Sequence, residues 1–403
     1  MSKAAAGWQT KQLGDIAQVK GGKRVPKGYK LETEPTNHPY LTVSSFTDDG
    51  TIDTSELRYI SPEVFAQIDR YTISSEDLFV SIAGTIGKAG SVPPELDGAN
   101  LTENACKLVF NPGICRDFVY YFTKSTDFAL QAATNTRVAA QPKLALERLK
   151  TIALAVPHRA EQKRIVGILD EAFDGIATAK ANAEKNLQNA RALFESHLQS
   201  VFTRRGEGWV EKPLVSLCPV FVDSAHRTPN YQTEGIPALR PRDVVNGRLA
   251  LTEVARVSEE EYEIQSRRHR PAPGDVVYSR ELSYGWAAAL PESPRVCLSQ
   301  GMCLFRPSVD LDSAFLLYVL NGPIGREQAT RVAVGAAHPH INLGDIQAYR
   351  IPFPSFREQK QITQRLDALR AETQRLESIY RQKLAALEAL KKSLLDQAFN
   401  GVL

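Results

Sequence analysis

The strongest constraint on this chain is that one stretch of it occurs twice. Pro157 to Phe202 and Pro354 to Phe399 align without a gap at an offset of 197 residues. Pro157, Glu161, Gln162, Lys163, Ile165, Leu169 and Asp170 return as Pro354, Glu358, Gln359, Lys360, Ile362, Leu366 and Asp367. Leu187, Ala192, Leu193, Ser196, Leu198 and Phe202 return as Leu384, Ala389, Leu390, Ser393, Leu395 and Phe399. An internal repeat fixes architecture before any local propensity does.

Each copy reads as one long helix without internal proline. In the second, Ile362, Leu366, Leu369, Thr373, Leu376, Tyr380, Lys383, Leu387, Leu390 and Leu394 alternate steps of four and three, the spacing of a coiled-coil seam. The first offers Val166, Leu169, Phe173, Ile176, Lys180, Ala183, Leu187, Ala190, Phe194, His197 and Val201. Ser355 with Glu358 makes a capping-box pattern, while Arg204-Arg205-Gly206 and Asn400-Gly401 suit helix ends. At about 1.5 Å per residue each helix makes a rod of roughly 65 Å, and the simplest way to bury both stripes is to pair the two rods.

The segments before the rods repeat too. Trp8, Leu13, Ile16 and Val19 are echoed by Trp209, Leu214, Leu217 and Val220, and Asp77 to Gly87 by Asp275 to Gly285. Cys106 and Phe118 coincide with Cys303 and Phe315. Extended segments are expected around 40–44 and 77–82, with helix from Phe118 to Leu130 and a run from Leu144 to Leu154 leading into the first rod: a compact α+β module with short strands. Outside the framework the halves differ. Lys23, Arg24 and Lys27 stand against Asp223, His226 and Arg227, and Arg240 and Arg242 against Thr42 and Ser44. Similar scaffolds bearing different surfaces suggest two modules that recognise different things.

No catalytic constellation emerges. Gly84-Thr85-Ile86-Gly87-Lys88-Ala89 has two residues between its glycines and no hydroxyl after the lysine, so it is not a phosphate-cradling loop. No Gly-x-Ser-x-Gly elbow is present, Asn111-Pro112-Gly113 is not the Asn-Pro-Pro-aromatic motif of amino-methyltransferases, and His338-Pro339-His340 lacks an acidic or cysteine partner at ligand spacing. Five cysteines without a CxxC pair argue against a disulfide framework or structural zinc, and no apolar run is long enough to span a bilayer, so a soluble cytoplasmic protein is expected. A net charge of +3 permits nucleic-acid binding without demanding it. Basic and aromatic loop residues remain as candidate DNA contacts: Lys20, Lys23, Arg24, Lys27, Tyr29, Lys88, Arg137 and Lys143 in the first module, and Arg227, Arg240, Arg242, Arg280, Tyr284, Arg331 and His338 in the second. Taken singly, each reads as a solvated surface charge; divided between two modules, they carry more weight.

With Pro-x-x-x-Glu-Gln-x-x-Ile opening both rods at Pro157 and Pro354, Trp-x-x-x-x-Leu opening both modules at Trp8 and Trp209, and the paired segments 77–87 and 275–285, the chain resembles the specificity subunit of type I restriction-modification enzymes over essentially its whole length. The resemblance implies an α+β fold: target-recognition domains at 1–155 and 206–352 alternating with long helices at 156–205 and 353–403. These helices would pair as an antiparallel coiled coil in a pseudo-two-fold tandem repeat. It implies that each domain reads half of a bipartite double-stranded DNA target while the coiled coil sets the spacer. It further implies a chain that is not itself an enzyme, working with two modification (methyltransferase) subunits and with restriction (ATPase/endonuclease) subunits. S-adenosylmethionine, ATP and magnesium would reside on those partners and no cofactor in this chain. Two other readings stay open: a recognition subunit of a type IIB-like system, and a non-catalytic coiled-coil scaffold that binds proteins.

Overall fold

A computed structural model describes residues 7–136 and 142–403, so the candidate Arg137 lies outside the described residues. The chain forms two compact units, Met1–Ala183 with Gln382–Leu403 and Glu184–Arg381. The long helices, Arg159–Thr203 and Phe356–Phe399, each contribute to both.

The first module begins with strand Gln9–Gln12, which pairs antiparallel with Ala153–Val156, the strand that hands the chain to the long helix. The expected continuous run from Leu144 to Leu154 is therefore a short helix, Leu146–Lys150, followed by strand. Leu154 and Val156 alternate inward there, where a helix would have exposed one of them. A four-stranded antiparallel sheet carries Ala17–Gly21, Ala105–Phe110, Leu78–Ser81 and Ala89–Gly90 in that order. A smaller sheet orders Arg58–Tyr59, Pro39–Leu41 and Asn100–Leu101. The helical stretch around Phe118 is broken in two, Arg116–Thr123 and Thr126–Asn135. Ser125 stops the first and caps the second by accepting from the Phe128 N–H at 3.2 Å.

The second module repeats every one of these pairings. Val210–Pro213 pairs with Arg350–Phe353; Val220–Asp223, Met302–Arg306, Val276–Ser279 and Ala287–Ala289 form the four-stranded sheet; Arg256–Val257, Ile236–Leu239 and Cys297–Leu298 form the three-stranded one. It adds a hairpin, Val244–Val245 with Arg248–Leu249, whose turn residues Asn246 and Gly247 both have positive φ (50° and 77°), as a type I′ turn demands.

The helices pair antiparallel within each unit. In the first, Ile165, Leu169 and Phe173 share a core with Leu394, Leu395, Ala398 and Phe399, and Lys180 bonds Glu388 at 2.7 Å. In the second, Leu198 and Phe202 share a core with Ile362 and Leu366, and Arg191 meets Glu377 at 3.2 Å. The seam departs from the heptad reading at three places. His197, Lys383 and Leu390 are exposed, while Leu198 is buried and Leu384 half-buried. Steps of 376, 380, 384 and 387 insert an extra four-residue spacing, a stutter that turns the apolar stripe by one position.

Each module is locked to its helices by the residues that recur. Gln162 Nε2 donates to the Pro157 carbonyl at 2.8 Å while its Oε1 accepts from the Cys115 N–H at 2.8 Å. Gln359 does the same with Pro354 at 3.0 Å and Asp312 at 2.8 Å. The Tyr121 hydroxyl donates to Asp170, and Tyr318 donates to Asp367 at 2.5 Å. The capping box at the second helix is half-used. Ser355 accepts from the Glu358 N–H at 3.3 Å, but the Glu358 carboxylate accepts instead from the Trp209 indole at 2.8 Å, tying the start of the module to the helix. Phe399 lies 5.1 Å from Phe118 in the first unit and Phe202 lies 5.7 Å from Phe315 in the second. Each long helix therefore ends in the core of the module that does not precede it.

Candidate nucleic-acid interface

Antiparallel register brings distant loops to one end of each four-stranded sheet. In the first module Gly21 stands opposite Cys106, Ser81 opposite Ala105 and Val80 opposite Ala89. The connections 22–38, 82–88 and 102–104 therefore leave the sheet at the same edge. Gly22 is required there, because a Cβ would stand 2.1 Å from the Thr102 carbonyl oxygen. The Lys23 N–H donates to Leu101 O at 2.8 Å, and the Tyr40 hydroxyl donates to the Lys23 carbonyl at 2.8 Å. Burial pushes the Tyr40 phenol up to about 12, so it remains a donor at neutral pH. This pins the backbone and leaves the side chains of Lys23, Arg24, Lys27 and Tyr29 exposed along one loop, with Lys20 exposed on the strand that leads into it. Arg24 pairs with Glu103 while itself 77% exposed, an ion pair that a phosphate can replace at little cost. Lys143 joins the same edge, since it bridges Ala83 and the Leu144 N–H donates to Ile82 O at 2.9 Å. Lys88 does not. Its ammonium is held by the Phe46 carbonyl at 3.1 Å and Asp48 at 2.7 Å, bracing the 46–51 turn.

The second module builds the equivalent edge from 224–235, 280–286 and 299–301, with Asp223 opposite Cys303, Ser279 opposite Met302 and Tyr278 opposite Ala287. Arg280 is 9% exposed, forms an ion pair with Asp223 and donates from Nε to Ile341 O at 3.1 Å, so it is part of the frame. Arg227 holds both oxygens of the buried Glu261 carboxylate at 2.7 Å, and Arg240 chelates Asp243 at 3.0 and 3.2 Å. Arg242 beside them is 70% exposed and only 4.0 Å from Asp243. His338 is exposed on a loop laid against residues 281–282 by the Val334–His340 and Glu281–His340 bridges, with exposed Arg331 at the end of the helix that leads into it. Tyr284 is half-buried against the core, and its carbonyl accepts from Arg326 at 2.8 Å.

One cluster escaped the sequence reading. Arg268 donates to the carbonyls of Asp223 at 3.5 Å and Ser224 at 3.3 Å, which places the run Arg267-Arg268-His269-Arg270 beside the same edge. Four consecutive basic residues were the available signal.

Cys106 and Cys303 occupy matching central positions in the two sheets and are fully buried; burial pushes the Cys106 thiol up to about 12 and Cys303 higher still, far from a reactive thiolate. Among the described residues no group of three or more His, Cys, Asp or Glu is arranged to hold a metal, and no helix is long and apolar enough to cross a membrane.

Comparison with known proteins gives this arrangement its relatives. The type I restriction enzyme EcoBI specificity subunit of Escherichia coli is 23% identical over 363 residues, covering 83% of this chain and 75% of that protein. The HsdS subunit of Thermoanaerobacter tengcongensis superposes with a TM-score of 0.69 at 21% identity, covering 100% of this chain and 98% of that one. A chain from a structure titled as complex assembly and conformational transition of the type I R-M system gives 0.77 at 20%, over the full length of both. The family model described as "Type I restriction modification DNA specificity domain" matches residues 6–188 and again residues 206–388. Covering nine-tenths of the sequence in two copies that coincide with the repeated architecture, that match means the chain belongs to the type I restriction-modification DNA specificity family.

Proposed function

We propose that each module binds double-stranded DNA through the loop edge of its four-stranded sheet and reads one half of a bipartite target, the paired long helices setting the unread spacer. The chain is the specificity subunit of a type I restriction-modification system, carrying two tandem recognition domains and no catalysis of its own. Two modification subunits, with S-adenosylmethionine, and restriction subunits, with ATP and magnesium, would supply the chemistry in the cytoplasm.

One observation carries this reading: the same strand pairings occur twice, while the charged side chains on the matching edge differ. Lysines and Tyr29 on one edge, and arginines with His338 on the other, offer distinct donor patterns to base edges on a common phosphate-binding frame. Methylome sequencing tests it in a host without its own adenine methylation, expressing this chain with its modification subunit. A single bipartite motif with N6-methyladenine on both strands is the expected result. An assembled complex that methylates no motif, and whose DNA affinity barely changes with salt, would instead support a protein-binding scaffold.

A further inference from the structure

Leu282 stands at the tip of the connection between strands Val276–Ser279 and Ala287–Ala289, with φ at +57° and 60% of its surface exposed. Left-handed backbone is unfavourable for any residue bearing a Cβ, and an exposed leucine gains nothing from the core to offset it. The loop around it imposes the conformation. The Leu282 N–H donates to Pro339 O at 2.9 Å, Ser279 Oγ to Ser283 O at 2.7 Å, the Gly285 N–H to Ser279 O at 2.9 Å, and Arg326 to Tyr284 O at 2.8 Å. The first module solves the same turn with Gly84 at φ +75°, where an added Cβ would meet nothing within 4 Å. The fold therefore needs no side chain at this tip, and the second module carries a large apolar one on the edge that also presents Arg227, Arg242 and His338.

In the major groove the one apolar group on a base edge is the C5-methyl of thymine. Given the DNA-reading role proposed above, on which this inference rests, we infer that Leu282 is a specificity-determining residue of the second module. Its side chain packs on a thymine methyl within the half-site that module reads, and the rigid loop holds it there without an ordering cost on binding.

The test uses the full chain assembled with its modification subunit and a duplex bearing the methylome-defined target. Each thymine is replaced in turn by deoxyuracil, which removes only the methyl. One replacement should weaken wild-type binding about fourfold, the equivalent of one buried methyl group. Leu282→Gly, which suits the backbone and should melt no lower than wild type, should bind the unmodified target at least fourfold more weakly and be indifferent to that replacement. Its salt dependence should be unchanged, because no phosphate contact is lost. Leu282→Asn, which also tolerates the left-handed region, should behave like the glycine variant. Wild-type indifference to every deoxyuracil, or full affinity and discrimination in Leu282→Gly, would overturn the assignment. A wild-type complex with no bipartite site at all would count against the DNA-reading role instead.

Discussion

A glutamine amide offers two donors and an acceptor in one plane, and Gln162 and Gln359 use both ends while almost fully buried. Gln359→Leu fills the same volume but leaves the Asp312 N–H and the Asp310 and Pro354 carbonyls unpaired, so it should destabilise the second unit by about 3 kcal/mol in urea unfolding. Asp312 beside it is subject to opposing effects. Burial raises its pKa, but the ammonium of Lys360 at 2.6 Å and the Phe315 N–H at 2.9 Å outweigh it and hold the carboxyl below its ordinary value. A pKa lowered on folding means stability that is present above the ordinary carboxylate range and lost as pH falls through it. Asp312→Asn should therefore flatten the acid limb of stability against pH while changing little at low pH. The recurrence of Gln162 and Asp170 was plain in the sequence; their roles were not. Their partners Cys115 and Tyr121 lie 47 and 49 residues away, and only the folded loop brings them in.

At the scale of the element, the long helices were readable from period alone, because apolar spacing over some forty residues admits little else. Where the reading slipped, the cause was local. Lys383 and Leu384, like His197 and Leu198, are neighbours that both fit a seam, and only the facing helix decides which is covered. Leu384→Ala should then cost about 1.5 kcal/mol and Leu390→Ala less than about 0.5, the reverse of the order a strict heptad gives; thermal melts of the two variants decide it. The helices also exchange one device. Phe173 packs under Lys391 at 5.1 Å in the first unit, and Phe194 under Arg370 at 5.0 Å in the second, so aromatic and cation have swapped between equivalent repeat positions. Phe194→Leu should disturb only the second unit, by about 1 kcal/mol beyond its lost area.

For the whole molecule, the repeat announced two modules and two rods, but which loop residues share an edge depended on strand register, which short and irregular strands leave unsigned. Lys20 to Tyr29 could be grouped by adjacency in sequence. Arg280 looked equivalent to its neighbours and is instead buried in the frame, and Arg268 reached the edge from an unremarked run. If the paired helices set the spacer, removing one heptad from each, matched across the seam, should shorten it by about 10 Å or roughly three base pairs, with both half-sites unchanged in the methylome. The placement of Phe399 against Phe118 and Phe122 also sets a timetable for biosynthesis. The first module is translated before the second, but residues that close its core come after the second module in the chain. With about 275 residues made between Phe122 and Phe399, and elongation at about 5–20 residues per second, Phe118 and Phe122 wait roughly 14–55 s for their cover. Until Phe399 is made, the face of Phe118 and Phe122 that it covers should stay open, and a chain truncated before the second long helix should be held by chaperones where the full chain is not.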